Sequence, residues 1–127
     1  MIETLLVFIG GGIGAALRHG VNIAAARGLG VSFPWGTLIV NVVGSAAMGL
    51  LAGWFALRAD AGLTQHARLF LATGVLGGFT TFSAFSLDVA LLWERNALGL
   101  AVTYVAASVL LSVAGLFAGL WVVRAAA

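Results

Sequence analysis

Side chains able to hold a small ion recur at helical spacing in stretches that are otherwise apolar. Thr37, Asn41 and Ser45 stand at i, i+4, i+8, and Tyr104, Ser108 and Ser112 repeat that spacing, so each trio lines one face of a helix. Between the trios comes Gly74-Val75-Leu76-Gly77-Gly78-Phe79-Thr80-Thr81-Phe82-Ser83-Ala84-Phe85-Ser86, with three glycines, four hydroxyl residues and three phenylalanines spaced three apart. Phe79, Phe82 and Phe85 would share one helical face, with Thr80, Thr81 and Ser83 beside it. Amides and hydroxyls donate hydrogen bonds without fixed charge, and the edge of an aromatic ring is partially positive. Such a set suits a small, strongly hydrated anion, because it replaces part of the water shell yet still lets the ion leave.

Each of these residues also has a plainer use. Asn41 reads either as glue between helices, worth about 0.6–2 kcal/mol, or as a donor to a passing ion. Serine and threonine can bond to their own helix, so either stripe alone would mean little. Arg18 follows Gly14 by four residues inside an apolar stretch, where a charge costs roughly 2.5–3.5 kcal/mol at mid-membrane. It either snorkels to the interface or lines a water-filled vestibule.

Enzyme chemistry finds no foothold. There is no His-Glu-x-x-His, no nucleophile beside its base and no pair of carboxylates at depth. Gly10-Gly11-Gly12-Ile13-Gly14 lies inside an apolar stretch rather than after a strand, which argues against a phosphate loop. Cysteine is absent, and with it disulfides, thiol catalysis and cysteine metal sites. A cation pore or proton-coupled carrier would be expected to bury a carboxylate. Asp88 is the only acidic residue well inside an apolar stretch, and Glu3 stands at the tip of the first.

The elements that must position these groups follow from composition. Of 127 residues, 62% are hydrophobic and 8% charged, with a mean hydropathy of +1.15; soluble domains are roughly 25% charged. The bilayer is therefore the solvent. A spanning helix needs about 20 mostly apolar residues, and spans at about 4–26, 35–57, 69–93 and 98–123 nearly exhaust the chain. The expected fold is all-α, a single multi-pass membrane domain over residues 1–127. Met1-Ile2-Glu3 lacks the positive start of a signal peptide, so Ala24-Ala25-Ala26 is expected to stay within the first span. Pro34 opens the second span, where its missing N–H costs nothing, and Trp35 suits the aromatic belt. Residues 58–68, with Asp60, Gln65 and a solvated His66, read as the longest loop. The glycine pair Gly77-Gly78 is expected to loosen the third span near its middle, and freed backbone groups in hydrocarbon must then face protein, water or an ion.

Six arginines and no lysine give a net charge of +2 and a pI near 10.6. They are scattered near span ends with no cluster to follow a phosphate backbone, which excludes nucleic acid. Arg58, Arg68 and Arg124 fall on one side of the membrane and Arg18, Arg27 and Arg95 on the other. Arginine bias normally sets orientation, and a tie permits insertion both ways. The expected assembly is an antiparallel, dual-topology homodimer.

Several motifs occur in order along essentially the whole chain. They are Gly11-x-x-Gly14-x-x-x-Arg18, Pro34-Trp35-Gly36-Thr37-Leu38-x-Val40-Asn41-x-x-Gly44, Gly77-Gly78-Phe79-Thr80-Thr81-Phe82-Ser83-x-Phe85-Ser86 and the stripe Tyr104, Ser108, Ser112. In these the sequence resembles the Fluc (CrcB) family of fluoride channels. The resemblance implies a dual-topology homodimer of four-helix subunits with two fluoride pores. Phe82 and Phe85 would match the pore phenylalanines, Asn41 a pore donor and Ser83 one of the pore hydroxyls. Tyr104, Ser108 and Ser112 would form the polar track, and Arg18 would belong to the aqueous vestibule. It further implies a central, non-permeating Na⁺ held by the backbone carbonyls of Gly77 and Thr80 from both subunits, and passive export of cytoplasmic fluoride across the bacterial inner membrane. Ala84 departs from the hydroxyl residue that relatives often carry there, while Asp88 keeps the acidic position without an assigned role. The alternative, a small multidrug-resistance-type four-helix transporter, expects a glutamate deep in its first span, and this chain has none there. A non-conducting packing subunit would explain the glycines but not the polar stripes.

Overall fold

Long runs of Leu, Val, Ala and Gly, interrupted by few charges, make helices that satisfy their own backbone, as hydrocarbon requires. A computed structural model describes residues 1–57 and 61–127. Among these residues, four helical stretches are long and apolar enough to cross a membrane: Ile2–Leu29, Trp35–Ala56, Thr64–Glu94 and Leu98–Ala126.

Helix α1 (Ile2–Leu29) ends at Gly30, whose φ of 87° suits a residue without a Cβ. Pro34 is the N-cap of α2 (Trp35–Ala56); its carbonyl accepts from the Leu38 amide at 3.2 Å. The third crossing is a composite. It comprises α3 (Ala61–Arg68), a π-helical segment (Leu69–Leu76), the single turn α4 (Gly77–Phe79), an extended pair Thr80-Thr81, and α5 (Phe82–Glu94). Helix α6 (Leu98–Ala126) completes the bundle.

Two sequence expectations are corrected. Residues 61–68 are helical rather than a loop, with His66 exposed on that helix; Arg58 and Asp60 lie outside the described residues. The third crossing does break near its middle, but not at its glycines. Gly77 and Gly78 keep helical geometry, and the extended residues are Thr80 (φ −85°, ψ 157°) and Thr81 (φ −155°, ψ 122°). Threonine is β-branched and at ease in extended backbone. The break falls between Phe79 and Phe82, so the three phenylalanines do not share one helical face as their spacing suggested.

The glycines serve packing instead. Gly10 and Gly14 of α1 meet the backbone of Gly74, Val75 and Phe79, and Gly78 meets the backbone of Gly11. A second seam joins α2 to α6: Gly49 and Gly53 face Leu116 and Val123, while Gly119 faces Ala46. Between membrane helices, where lipid tails are as apolar as side chains, small residues at four-residue spacing allow the close contact that holds helices together. Both seams leave no room for a Cβ at Gly14, Gly49 or Gly78. The buried apolar cluster is correspondingly small, consisting of Leu38, Leu92, Ala101 and Tyr104. Phe8, Phe82, Phe117 and Trp121 are exposed, an apolar surface left for lipid or another chain to cover.

The ends of the bundle are fixed by two contacts. Arg95 Nη2 donates to the Ser32 carbonyl at 2.7 Å, tying the α1–α2 and α5–α6 connections on one face. Gly53 packs on Val123 at the other, N-terminal face. Of the described arginines, Arg68 and Arg124 thus lie toward one end of the bundle and Arg27 and Arg95 toward the other, as read from sequence, while Arg18 falls near the middle of α1.

Candidate functional site

The break in the third crossing is held open by the α2 polar stripe. Asn41 Nδ2 donates to the Thr81 carbonyl at 3.0 Å, and its Oδ1 accepts from the Thr81 amide at 2.8 Å. One side chain thus satisfies both polar groups of a residue that has left the helix. The glue and donor readings of Asn41 need not compete: an amide nitrogen carries two hydrogens, and the bond to Thr81 uses one. Thr81 then caps α5, its Oγ1 accepting from the Ala84 amide at 3.1 Å, which satisfies one of the orphan donors of a helix start.

These exchanges release backbone carbonyls. In a continuous helix the Thr81 amide would bond to the Gly77 carbonyl and the Ala84 amide to the Thr80 carbonyl. Here both amides are taken, by Asn41 and by the Thr81 hydroxyl. Gly77 and Thr80 therefore each lose the donor that a continuous helix would supply. No cluster of three or more His, Cys, Asp or Glu residues occurs among the described residues, so a cation at this level would rest on carbonyl oxygens. Carbonyls freed by unwinding are suitable Na⁺ ligands, and the residues present fit that chemistry.

Beside the break lies a cavity of about 370 Å³ lined by Asn41, Ser45, Thr80, Thr81, Phe82, Phe85, Ser108 and Ser112, with Gly44, Met48, Val109, Val113 and Leu116 completing its wall. It gathers members of both polar stripes and two of the three phenylalanines into one space. The Phe82 and Phe85 ring centroids are 5.4 Å apart. Ser108 and Ser112 are distinctive. Thr103 and Ser86 bond back to their own helices, at 2.8 and 3.0 Å, whereas the Ser108 and Ser112 hydroxyl oxygens are buried with no hydrogen-bond partner among the described residues. A buried hydroxyl without a partner is costly; these two stand one helical turn apart on the cavity wall, where each could turn toward a polar ligand.

Phe82 is 77% exposed on the single subunit. Its ring lies at the cavity edge and faces outward, so the subunit alone forms an open-sided groove rather than a closed tube.

Tyr104 is completely buried between the cavity and the opposite face. Its ring lies 5.2 Å from that of Phe85 and 5.5 Å from that of Phe33. Its hydroxyl donates to Asp88 Oδ2 at 2.9 Å. A phenol has one proton to give, and Asp88 holds it. Sequence reasoning left Asp88 without a role; its spacing of 16 residues from Tyr104, across a turn, carries no local signal. Beyond this pair a second cavity of about 370 Å³ opens near the Ser32–Arg95 face, lined among others by Asn22, Thr37, Ala84, Asp88 and Arg95. The two cavities are separated by Phe85 and Tyr104.

Ser83 and Arg18, both expected site residues, line neither cavity. Ser83 is exposed, its Oγ 3.3 Å from Thr81 Oγ1. Arg18 is half-buried on α1, one turn beyond the buried Gly14, with no hydrogen bond or ion pair to a described residue. Sequence reasoning did not give Thr81 its double part as cap and as the residue Asn41 holds, although Thr-x-x-Ala before an apolar run is compatible with an N-cap.

The profile of the family described as "CrcB-like protein, Camphor Resistance (CrcB)" matches residues 5–120. The chain is 60% identical over 121 residues to a protein of Rhodopseudomonas palustris (strain BisB5), covering 95% of this chain and 96% of that one. It is 60% identical over 124 residues to one from Methylobacterium nodulans, covering 98% of each, and 61% identical over 120 residues to one from Hyphomonas neptunium, covering 94% of each. All three relatives bear the name fluoride-specific ion channel FluC.

Proposed function

The chain belongs to the CrcB family, and from that membership we propose that it is a fluoride channel, a membrane pore and not an enzyme. The observation that carries this reading is the cavity beside the Thr80-Thr81 break, where the Phe82 and Phe85 rings, the Asn41 amide and two unpartnered serine hydroxyls converge. Fluoride is small and strongly hydrated. Ring edges and neutral donors replace part of its shell without the tight grip of a fixed positive charge. Asn41 has a spare N–H, and Ser108 and Ser112 have hydroxyls free to turn toward an ion. The path runs from the Asp88 cavity, past Phe85 and Tyr104, to the groove at Phe82. For Tyr104 to donate to fluoride, its hydroxyl must first give up its hydrogen bond to Asp88. Arg18, with no ion-pair partner among the described residues, would act from outside the two cavities, as a vestibule charge that raises local anion concentration. Ser83 joins the hydroxyls at the outer rim of the break.

The assembly we infer is an antiparallel homodimer of dual topology. The arginine tie supports it, and so does the open-sided groove, which a second copy would close over Phe82. At the two-fold axis the carbonyls of Gly77 and Thr80, released by the break, would hold a structural Na⁺ that does not permeate. Its charge would brace two unwound segments that otherwise expose oxygens to each other. The channel would sit in the bacterial inner membrane and let cytoplasmic fluoride leave passively. The direct test is fluoride-electrode efflux from liposomes containing the purified protein. Wild-type protein should release trapped fluoride, and Phe82→Ile should abolish release while assembly stays intact. Release by Phe82→Ile equal to wild type would remove the ring-edge role, and none by wild type would remove the function.

A further inference from the structure

The N-terminal face of the bundle carries a feature that the fluoride path does not use. Arg68 closes α3 just as the backbone enters the π-helical segment, and its guanidinium carbon lies 5.4 Å from the centre of the Phe55 ring. Below it runs an apolar groove of about 250 Å³ between α2 and the π-helical segment, walled by Met48, Leu51, Ala52, Phe55 and Ala72. We propose that this groove seats an anionic phospholipid, with Arg68 holding the phosphate and one acyl chain lying along α2.

Depth supports that occupant. Phe55 is the next-to-last residue of α2, and the neighbouring Gly53 packs on Val123, placing Arg124 at the same end of the bundle. From Phe55 to Met48 the groove descends seven residues, about 10 Å at 1.5 Å per residue. It therefore begins at the level of the arginines and runs inward among apolar side chains, the profile of a lipid with its headgroup up. Chemistry supports it too. Stacking on an aromatic face orients a guanidinium and leaves its N–H groups free, and a planar guanidinium pairs with phosphate oxygens through two parallel bonds. No carboxylate of a described residue lies within ion-pairing distance of Arg68. Basic pockets between membrane helices are recurrent sites for anionic headgroups. A second copy is a poorer occupant. Antiparallel packing would bring its Arg27 and Arg95 to this face of the membrane, like charge toward like.

Native mass spectrometry of the detergent-purified protein, after addition of phosphatidylglycerol or phosphatidylcholine, tests this without reference to fluoride. Wild-type protein should retain phosphatidylglycerol in preference to phosphatidylcholine. Arg68→Gln, a change on an exposed residue, should lose the preference, and Arg68→Lys should keep part of it. Ala52→Phe, which narrows the groove and leaves the charge, should lower retention of both lipids. Equal retention of the two lipids by wild type, or an undiminished preference in Arg68→Gln, would overturn the proposal. Loss of oligomer in Ala52→Phe with lipid retention unchanged would do so as well, by assigning the groove to a subunit contact.

Discussion

Replacing Asn41 by leucine tests the link between the α2 stripe and the break. The side chain is close in volume, so the change removes the hydrogen bonds at 3.0 and 2.8 Å with little loss of packing. A typical bond of this kind contributes about 0.5–1.5 kcal/mol net, and interhelical bonds in membranes average about 0.6 kcal/mol. Two bonds to the backbone of one residue therefore set a cost of roughly 1–3 kcal/mol. The upper part of that range applies if Thr81 stays extended with its amide and carbonyl unpaired. The lower part applies if the Thr81 amide returns to the Gly77 carbonyl and the helix closes. In either case the peptide that positions Phe82 is no longer held, and fluoride release should fall to the level of protein-free liposomes. Asn41→Asp separates the parts. Its oxygen still accepts from the Thr81 amide, the donor to the Thr81 carbonyl is lost, and a carboxylate enters the cavity. That variant should be intermediate in stability and closed to an anion. Stability is read by reversible unfolding in mixed micelles, and transport by the fluoride electrode. An Asn41→Leu protein within about 0.5 kcal/mol of wild type, the range of an ordinary surface change, and with normal flux would refute the argument.

Other outcomes follow from the same geometry. Ser108→Ala and Ser112→Ala each remove a buried hydroxyl that has no partner; folding stability should be unchanged or slightly raised while flux falls, and a loss of stability in micelle unfolding would mark these hydroxyls as packing groups instead. Exchange of Na⁺ for a large organic cation during purification should inactivate the protein and shift it toward monomer, as read by efflux and size-exclusion chromatography; full activity without Na⁺ would remove the central ion. A cysteine placed at Ala127 should react with an impermeant maleimide from both sides of the cell membrane, and labelling from one side alone would reject dual topology. Gly49→Val should cost at least about 1–3 kcal/mol by overpacking, since a Cβ there runs into the Leu116 carbonyl; a neutral effect in micelle unfolding would show that the α2–α6 seam can open without loss.

Much of the fold was legible because hydrocarbon restricts the choices. Four apolar stretches had to be helices, and the observed crossings extend the expected bounds by only a few residues at most ends. The polar spacing was equally readable: Asn41, Ser45, Ser108 and Ser112, on two helices far apart in sequence, do meet in one cavity. What the sequence left unresolved were decisions made between helices. Glycine's freedom made Gly77-Gly78 the natural place for a break, yet Gly78 is pressed against the backbone of Gly11 on α1, where helical geometry gives the closest approach, and Gly77 stays helical before it. The extended conformation passed to the next residues, where threonine tolerates it and a side chain from α2 can reach. Residues 61–68 misled for a related reason. Their composition is that of a solvated turn, yet they form a short helix that leads directly into the π-helical segment. The Asp88–Tyr104 bond was invisible because only the return of α6 beside α5 brings the pair together.

The glycine seams and the groups proposed to meet an ion are therefore parts of one construction. Gly44 lies three residues beyond Asn41 on α2, and the Thr80 methyl occupies the space where its side chain would be, with Phe79 packed alongside. Any larger residue at 44 would lift Thr80 away from α2, and with it the Thr81 peptide from the Asn41 amide. Close approach of α2 to the third crossing lets a single amide replace the helical partners of Thr81. That replacement frees the Gly77 carbonyl, and the Thr81 hydroxyl frees the Thr80 carbonyl in the same way. The same turn of backbone starts α5 with Phe82 at the groove and Phe85 against Tyr104. A small residue chosen for packing thus decides where the donors, the ring edges and the unpaired oxygens come to lie.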